Sequence, residues 1–374
     1  MLNTPDAMAQ SQPSDPPSGD AVLSSIQRGV GFLLKDQNAD GSWGGARGGI
    51  YTFTGDVWSN PATHKSWRVA TTGLACVALL HSSEIEAAQQ AIRRGVDYLI
   101  MNFDVGRPNE WDTMDCWAYI YALQAFAETM REKDLIAADV QARIRELSPR
   151  LMLRLRQSQS LSGGWGYLEF DAPRTAQPQW ATSFTTAAGV VALVEAKRSG
   201  LAIDEDVLLR ARRAVERCHM PSGAYTYSVQ AINDPRSSEW IDQIKGSLSR
   251  IQSCNVAILL AGGEMPVERL RTGIRQFFEY HRFLDIARNR PIPHETYYLN
   301  SGYFYLFGHY YAARVIAAMP EGERADLWSR LQREIMKTQQ RDGSLWDYDM
   351  HAYHKPYGTA YGLLGLAMSV EAGR

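Results

Sequence analysis

Hydrophobic and polar positions along the chain alternate between two kinds of helical stretch. One kind is amphipathic, with apolar residues at i, i+3, i+4 and i+7 and a charged opposite face. It runs near 22–37, 85–103, 138–159, 206–218, 267–284 and 322–339. The other kind is apolar almost all round and rich in small residues, as in Val69-Ala-Thr-Thr-Gly-Leu-Ala-Cys and Thr185-Thr-Ala-Ala-Gly-Val-Val-Ala. It runs near 67–81, 113–130, 181–198, 248–261, 300–319 and 358–371. A helix with no polar face is covered on all sides, and its Gly and Ala residues let neighbours approach closely.

Punctuation between the elements repeats as well. Gln37-Asn-Ala-Asp-Gly-Ser-Trp43, Gln159-Ser-Leu-Ser-Gly-Gly-Trp165 and Gln339-Gln-Arg-Asp-Gly-Ser-Leu-Trp346 each close an amphipathic helix with Gln, turn on Asp/Ser-Gly and end on Trp. Repetition of this kind identifies the fold before any single motif does. Six pairs predict an all-α protein, an (α/α)6 barrel or toroid of six helical hairpins, with apolar helices lining a central cavity and amphipathic helices facing water. Closure into a ring buries the faces that an open stack of repeats leaves uncovered at its ends. No polar capping repeat favours an open superhelix. The toroid is expected over residues 21–374, preceded by a disordered tail at 1–20 that is rich in Pro, Ser, Asp and Gln and has neither the basic nor the apolar stretch of a signal peptide.

Composition narrows the function classes. With 45% hydrophobic residues the 374-residue chain fills a large core. A net charge of −2 without like-charge runs gives no footprint for nucleic acid. Cys76, Cys116, Cys218 and Cys254 lack CxxC spacing and read as reduced core thiols, which points to the cytoplasm. No apolar run reaches the ~18 residues of a bilayer span, which leaves peripheral membrane contact through an apolar patch as the remaining membrane mode. The connection 228–247 is long and polar, as lids and binding loops are.

The Gln-Asp-Gly-Ser-Trp phrases, together with Gly163-Gly-Trp-Gly-Tyr-Leu-Glu-Phe170 leading into a Thr-Thr-Ala helix, resemble the repeats of squalene-hopene and oxidosqualene cyclases. The chain is thus similar to the terpenoid cyclase and protein prenyltransferase β-subunit superfamily, over about 22–373. The resemblance implies that Gln37, Trp43, Gln159, Trp165 and Trp346 staple the fold, and that one ring of this length matches one domain of a triterpene cyclase. It also implies where chemistry sits, at the loops into the inner helices and at their first turns.

At that place the chain has Asp112-Thr-Met-Asp-Cys-Trp117 where class II cyclases have Asp-x-Asp-Asp-Thr-Ala. Two acids match, and the family's proton donor falls on Met114. Asp112 and Asp115 are close enough in sequence to share a proton, since a like charge raises one carboxyl's pKa. The plainer reading is that Asp115 caps the helix and Asp112 is a loop acid. The prenyltransferase pattern Asp-x-Cys-Tyr matches only at Cys116-Trp117, and that family's later His falls on Gly358. Cys116 is therefore a weak candidate metal ligand, no obligate α-subunit is implied, and no cofactor is expected, with Mg and Zn both left open. Cys218-His219 resembles the pair of lanthipeptide cyclases without the rest of their signature.

If the sixth pair closes on the first, His351, His354, Asp347 and Asp349 come beside His64 and the Asp112–Asp115 turn. Asp115, with Asp112, is the expected general acid, and His354 or His64 its partner. The expected substrate-binding wall is Trp117, Tyr119, Trp180, Phe184, Tyr303, Phe307, Tyr357 and Tyr361, within a larger aromatic set that includes Tyr297 and Tyr298. Ring faces bind apolar chains and attract cations. The leading expectation is a small apolar isoprenoid substrate and a protonation-initiated, class II-type terpene cyclase. The alternatives are a non-catalytic lipid- or protein-binding toroid, an (α/α)6 carbohydrate-active enzyme, and a zinc-dependent prenyltransferase-like protein.

Overall fold

The computed structural model describes residues 16–46, 61–132, 134–169, 177–230 and 240–372. The first fifteen residues of the expected tail and the middle of the 228–247 connection lie outside them. Among the described residues there are thirteen α-helices and no strands. The inner ring consists of α2 (Pro61–Leu80), α4 (Asp115–Arg131), α6 (Ser183–Arg198), α8 (Leu248–Leu260), α11 (Phe304–Ala318) and α13 (His354–Glu371). The outer ring consists of α1 (Gly19–Asp36), α3 (Glu86–Asn102), α5 (Ala138–Ser158), α7 (Glu205–Arg217), α9 (Val267–Glu279) and α12 (Arg324–Met336), and a short α10 (Arg282–Ala287) stands between α9 and α11.

Each inner helix packs on the next, α2 on α4, α4 on α6, α6 on α8, α8 on α11, α11 on α13 and α13 back on α2. The ring is closed. Inner helices are buried along almost their whole length, whereas outer helices bury one stripe, as the two hydrophobic patterns require. Pairing differs from the expected order of outer helix then inner helix. α3 packs mainly on α2, α5 on α4, α9 on α8, and α1 on α13. The hairpins therefore run from inner to outer helix, and the first helix of the chain completes the last hairpin. α1 also begins at Gly19, where the side chain of Ser18 accepts from the Ala21 amide, so the last residues assigned to the tail belong to its first turn.

The repeated phrases hold the outer helices to one another. The side-chain amide of Gln37 donates to the carbonyls of Gly41 in its own turn and Ala91 of α3. Gln159 donates to Gly163 and Val207 of α7, and Gln339 to Gly343 and Ser25 of α1. The turn glycine has positive φ, +93° at Gly163, and a Cβ there would come within 2.8 Å of the Arg210 carbonyl. Trp43 and Trp165, both fully buried, donate from the indole to Leu33 and Leu155 carbonyls ten residues back. In the third phrase this place belongs to Leu345, whose amide donates to Thr359 as those of Trp43 and Trp165 do to Thr72 and Thr186. Trp346 is only half-buried and stacks its edge on His354; it is not the third staple.

Candidate functional site

Five of the six inner helices, α2, α4, α6, α11 and α13, together with the loops before α6, α11 and α13, line a cavity of about 220 Å³. Eleven of its eighteen lining residues are Trp, Tyr or Phe, and none is Asp, Glu, Lys or Arg, so the wall favours an apolar guest. α4 and its N-cap residue present Met114, Trp117 and Tyr121 at i, i+3 and i+7, the spacing of one helix face. Phe184 comes from α6, Phe304 and Phe307 from α11, and Tyr357 and Tyr361 from α13. Trp117 stacks on Tyr121 with centroids 5.7 Å apart, and the Tyr121 and Tyr361 hydroxyls share a hydrogen bond deep in the wall. Of the eight expected wall residues, Trp117, Phe184, Tyr303, Phe307, Tyr357 and Tyr361 line the cavity. Trp180 stands behind Tyr167, edge-on at 5.3 Å, and Tyr119 turns away, its hydroxyl accepting from the Gly106 amide at 3.1 Å. Tyr297 is 65% exposed, and with Tyr298 it precedes α11 instead of belonging to it.

The expected acid pair lies elsewhere. Asp112 is wholly buried; its Oδ1 accepts from the Met114 amide at 2.8 Å and its Oδ2 from the Thr63 hydroxyl, so it ties the start of α4 to α2. Asp115, one residue round the helix from the cavity face, is 5% exposed, and its buried Oδ1 has no hydrogen-bond partner. Burial first, then the charge of Asp112, pushes its carboxyl up to about 7, against the pull of Arg107. The side chain that reaches the cavity from this turn is Met114. Cys116 donates its thiol to the Gly166 carbonyl at 3.3 Å, and burial holds it well above its ordinary pKa, so it is a protonated core thiol.

Ring closure does bring the histidines together. His64 meets His351 edge-on at 4.7 Å beside Trp67, and Tyr353 donates to the His64 carbonyl at 3.0 Å. Burial, His351 and Arg68 keep the His64 imidazole below its usual pKa. His354 donates from Nδ1 to the His351 carbonyl at 2.7 Å and lies 3.3 Å from Asp349. Neither His64 nor His354 lines the cavity, and the groups that act on Asp115 are Asp112, Arg107 and Tyr119.

Two groups at the wall were not expected there from the sequence, which gave no role to His294 and placed Asp347 beside His64 and the Asp112–Asp115 turn. His294, in the loop before α11, has φ +62° and donates from Nδ1 to the Leu299 carbonyl at 2.6 Å. Its Nε2 is thereby an acceptor, and the Tyr303 hydroxyl donates to it at 2.9 Å. Tyr167 and Tyr227 share a hydrogen bond beside it, backed by the buried Arg250, whose guanidinium lies 5.2 Å from the Tyr227 ring. A lone His in a proline-flanked loop gave no periodic signal. The second is Asp347, whose carboxyl accepts from Tyr357 at 2.8 Å just behind the wall.

Among the described residues one trio has metal-ligand spacing, His281, Asp285 and Glu334. Lys337 is already there, 2.7 Å from Asp285 Oδ1 and in contact with Glu334, and supplies the cation that a metal would. Nearby, His281 Nε2 bonds His309 Nε2 at 3.0 Å in the wall between α10, α11 and α12.

No family model matches the sequence. In structure the chain is similar to the GH76A α-1,6-mannanase of Salegentibacter sp., with a TM-score of 0.55 and 12% identity over 93% of this chain and 99% of that one. It is similar to a possible GH105 family member from Klebsiella pneumoniae, at 0.55 and 12% over 100% of both chains. It is also similar to the type II terpene cyclase MstE of Scytonema, at 0.51 and 12% over 94% and 99%. At such identity the likeness shows architecture: the chain is an (α/α)6 toroid, a fold shared by proteins described as a type II terpene cyclase, an α-1,6-mannanase and a possible GH105 family member.

Proposed function

We propose that the protein binds a linear isoprenoid in the aromatic cavity and acts on it as a protonation-initiated cyclase or isomerase. The observation that carries this reading is the wall itself, eleven aromatic rings and no charged side chain around about 220 Å³. Apolar chains gain from burial against such rings, and a carbocation formed among them is stabilised by about 0.5–2 kcal/mol per well-placed ring face. MstE, one of the structural neighbours, is described in complex with geranylgeranyl dihydroxybenzoate as substrate. The mannanase and possible GH105 neighbours support a second reading, but glycoside hydrolysis uses a pair of carboxyls across the scissile bond. The described lining residues include none. The position of Asp115 and the presence of Met114 on the cavity face argue that the proton comes from another group. A site without Lys or Arg also suits a substrate without a diphosphate.

The test is titration with farnesol and geranylgeraniol, read by fluorescence of Trp67 and Trp117, followed by product analysis. The expected result is saturable binding that weakens at least tenfold in Phe184→Ala, with a rearranged product. Binding without any product would leave a lipid-binding toroid, and binding of α-linked manno-oligosaccharides in place of isoprenoids would overturn the reading.

A further inference from the structure

The cavity wall carries no carboxylate, yet one buried carboxyl lies a single side chain behind it. Asp347 follows the third Gln turn and is fully buried. Its Oδ2 accepts from the Leu306 amide at 2.8 Å, in the first turn of α11, where a carboxylate satisfies a free N–H and faces the positive end of the helix. Its Oδ1 accepts from the hydroxyl of Tyr357 at 2.8 Å, and Tyr357 lines the cavity. Capping α11 uses one oxygen. The other oxygen joins the only carboxyl in hydrogen-bond reach of a lining phenol among the described residues to the place where a substrate would lie.

We infer that Tyr357 is the general acid of the cavity and that Asp347 stores the proton that replaces the one Tyr357 gives up, an inference that rests on the isoprenoid reading for its substrate. Because Oδ2 faces an N–H, an added proton resides on Oδ1, directed at the Tyr357 oxygen. In that state Oδ1–H donates to the phenol, whose own hydrogen is released from Asp347, with the Tyr348 carbonyl at 3.4 Å as its one long alternative to turning into the cavity. The step then balances without any other reagent. The Tyr357 O–H bond breaks as its hydrogen bonds to an alkene carbon or epoxide oxygen of the substrate, and the Asp347 proton moves onto the phenolic oxygen. Asp347 is left as a carboxylate and the substrate as a cation. Loss of a proton from the final cation back through Tyr357 restores the acid.

The surroundings suit this division of labour. Burial pushes the Asp347 carboxyl up to about 7, against the hydrogen bonds from Leu306, Tyr357 and the Tyr348 amide, so both protonation states are populated near neutrality. The groups that face it are the Leu306 amide from α11, the Tyr357 hydroxyl from α13, and the Tyr348 amide and its own amide in its loop. Tyr357 is held well above the ordinary phenol value by burial and by Asp347, with Tyr348 and Asp349 adding to the effect, so it passes a proton on and does not rest as a phenolate.

The experiment has two arms. In the free protein, infrared difference spectra between acid and alkaline pH, compared between wild type and Asp347→Asn, isolate the Asp347 carboxyl stretch. The expected band is present at pH 5.5, lost at pH 8.5 and shifted in Tyr357→Phe; a carboxyl already ionised at pH 5.5 overturns the relay whatever the substrate. In the second arm, geranylgeraniol is incubated with protein in D2O and deuterium incorporation is read by mass spectrometry. Tyr357→Phe is expected to bind within threefold of wild type and to lose incorporation by ~100-fold. Asp347→Asn is expected to lose the dependence on an acid titrating near 7, and Asp115→Asn to keep it. Full incorporation by Tyr357→Phe overturns the inference. Failure of wild type to bind the isoprenoid overturns the proposed substrate instead, with the relay still decided by the infrared arm.

Discussion

Asp115 and Asp347 are both carboxyls displaced upward to about 7 by burial, and their partners set them apart. Asp347 has both oxygens bonded; Asp115 has a buried oxygen with none, next to the acid Asp112. A carboxyl whose folded pKa lies above its unfolded value near 3.8 binds its proton more tightly when folded. Its contribution to stability is full below that value and is lost as pH rises through about 7. Removing the charge at Asp115 should flatten that loss. The drop in unfolding free energy of Asp115→Asn between pH 5 and pH 8 is expected to be ~1–3 kcal/mol smaller than in wild type, measured by urea titration. An unchanged slope would show that Asp115 has a partner which neutralises it. The aromatic wall was legible in the sequence because Trp117, Phe184, Tyr357 and Tyr361 lie in the first turns of helices whose periodicity is plain. Asp347 and His294 were not legible as a pair of wall groups, because both stand in loops, where spacing does not tell which way a side chain faces.

Helix turns show the same limit one level up. Three Gln turns stood out by their residues, and a fourth has the same backbone with different chemistry. At His219-Met-Pro-Ser-Gly-Ala-Tyr225, Gly223 again has positive φ, +90°, and the Met220 amide bonds the Ala224 carbonyl as Ser160 does Gly164. The Tyr225 amide donates to Ser247 where Trp165 donates to Thr186, and its hydroxyl bonds Asn255 at 2.8 Å. The Ser-Gly step and a ring six residues after the turn begins survive without the Gln and the Trp, too little to mark a repeat by sequence. Where the Gln is kept, its value depends on burial. Gln159 is fully buried whereas Gln37 is half-buried. Gln159→Ala removes two buried hydrogen bonds, to the Gly163 and Val207 carbonyls, and is expected to cost ~2–3 kcal/mol, against ~1 kcal/mol for Gln37→Ala, in equilibrium unfolding. Equal losses would mean that the turns are held by their glycines and not by the amide.

Across the whole molecule, the two ends of the inner ring differ in kind. The end formed by the helix starts is the aromatic cavity, and the end formed by the later turns of α4, α6 and α11 is filled by polar groups. There Arg314 bonds Glu195 at 2.6 Å and the Tyr310 hydroxyl at 2.8 Å, Gln124 bonds Glu128, and Arg131 bonds Glu195. Tyr310, bonded to both Gln124 and Arg314, lies 5.8 Å from the Tyr361 ring, so these polar groups stand directly behind that part of the wall. The six-pair count and the closed ring followed from hydrophobic periodicity. The hairpin order did not, because each outer helix is flanked in sequence by two inner helices and the pattern is symmetric between them.

That order has a topological consequence. Five hairpins are continuous in the chain, and the sixth, α13 with α1, is the same unit with its connection severed. Gln339 grips Ser25 of α1 as Gln37 grips Ala91 of α3, and Gly29 packs on Leu363. The covalent break is thus interchangeable with any other inter-hairpin link. A circular permutant that joins residue 372 to residue 18 through a few glycines and serines, and opens the chain between α1 and α2, is expected to fold with unchanged circular dichroism and a melting temperature within a few degrees of wild type. If it fails to fold, the linear order of the helices is part of what closes the ring.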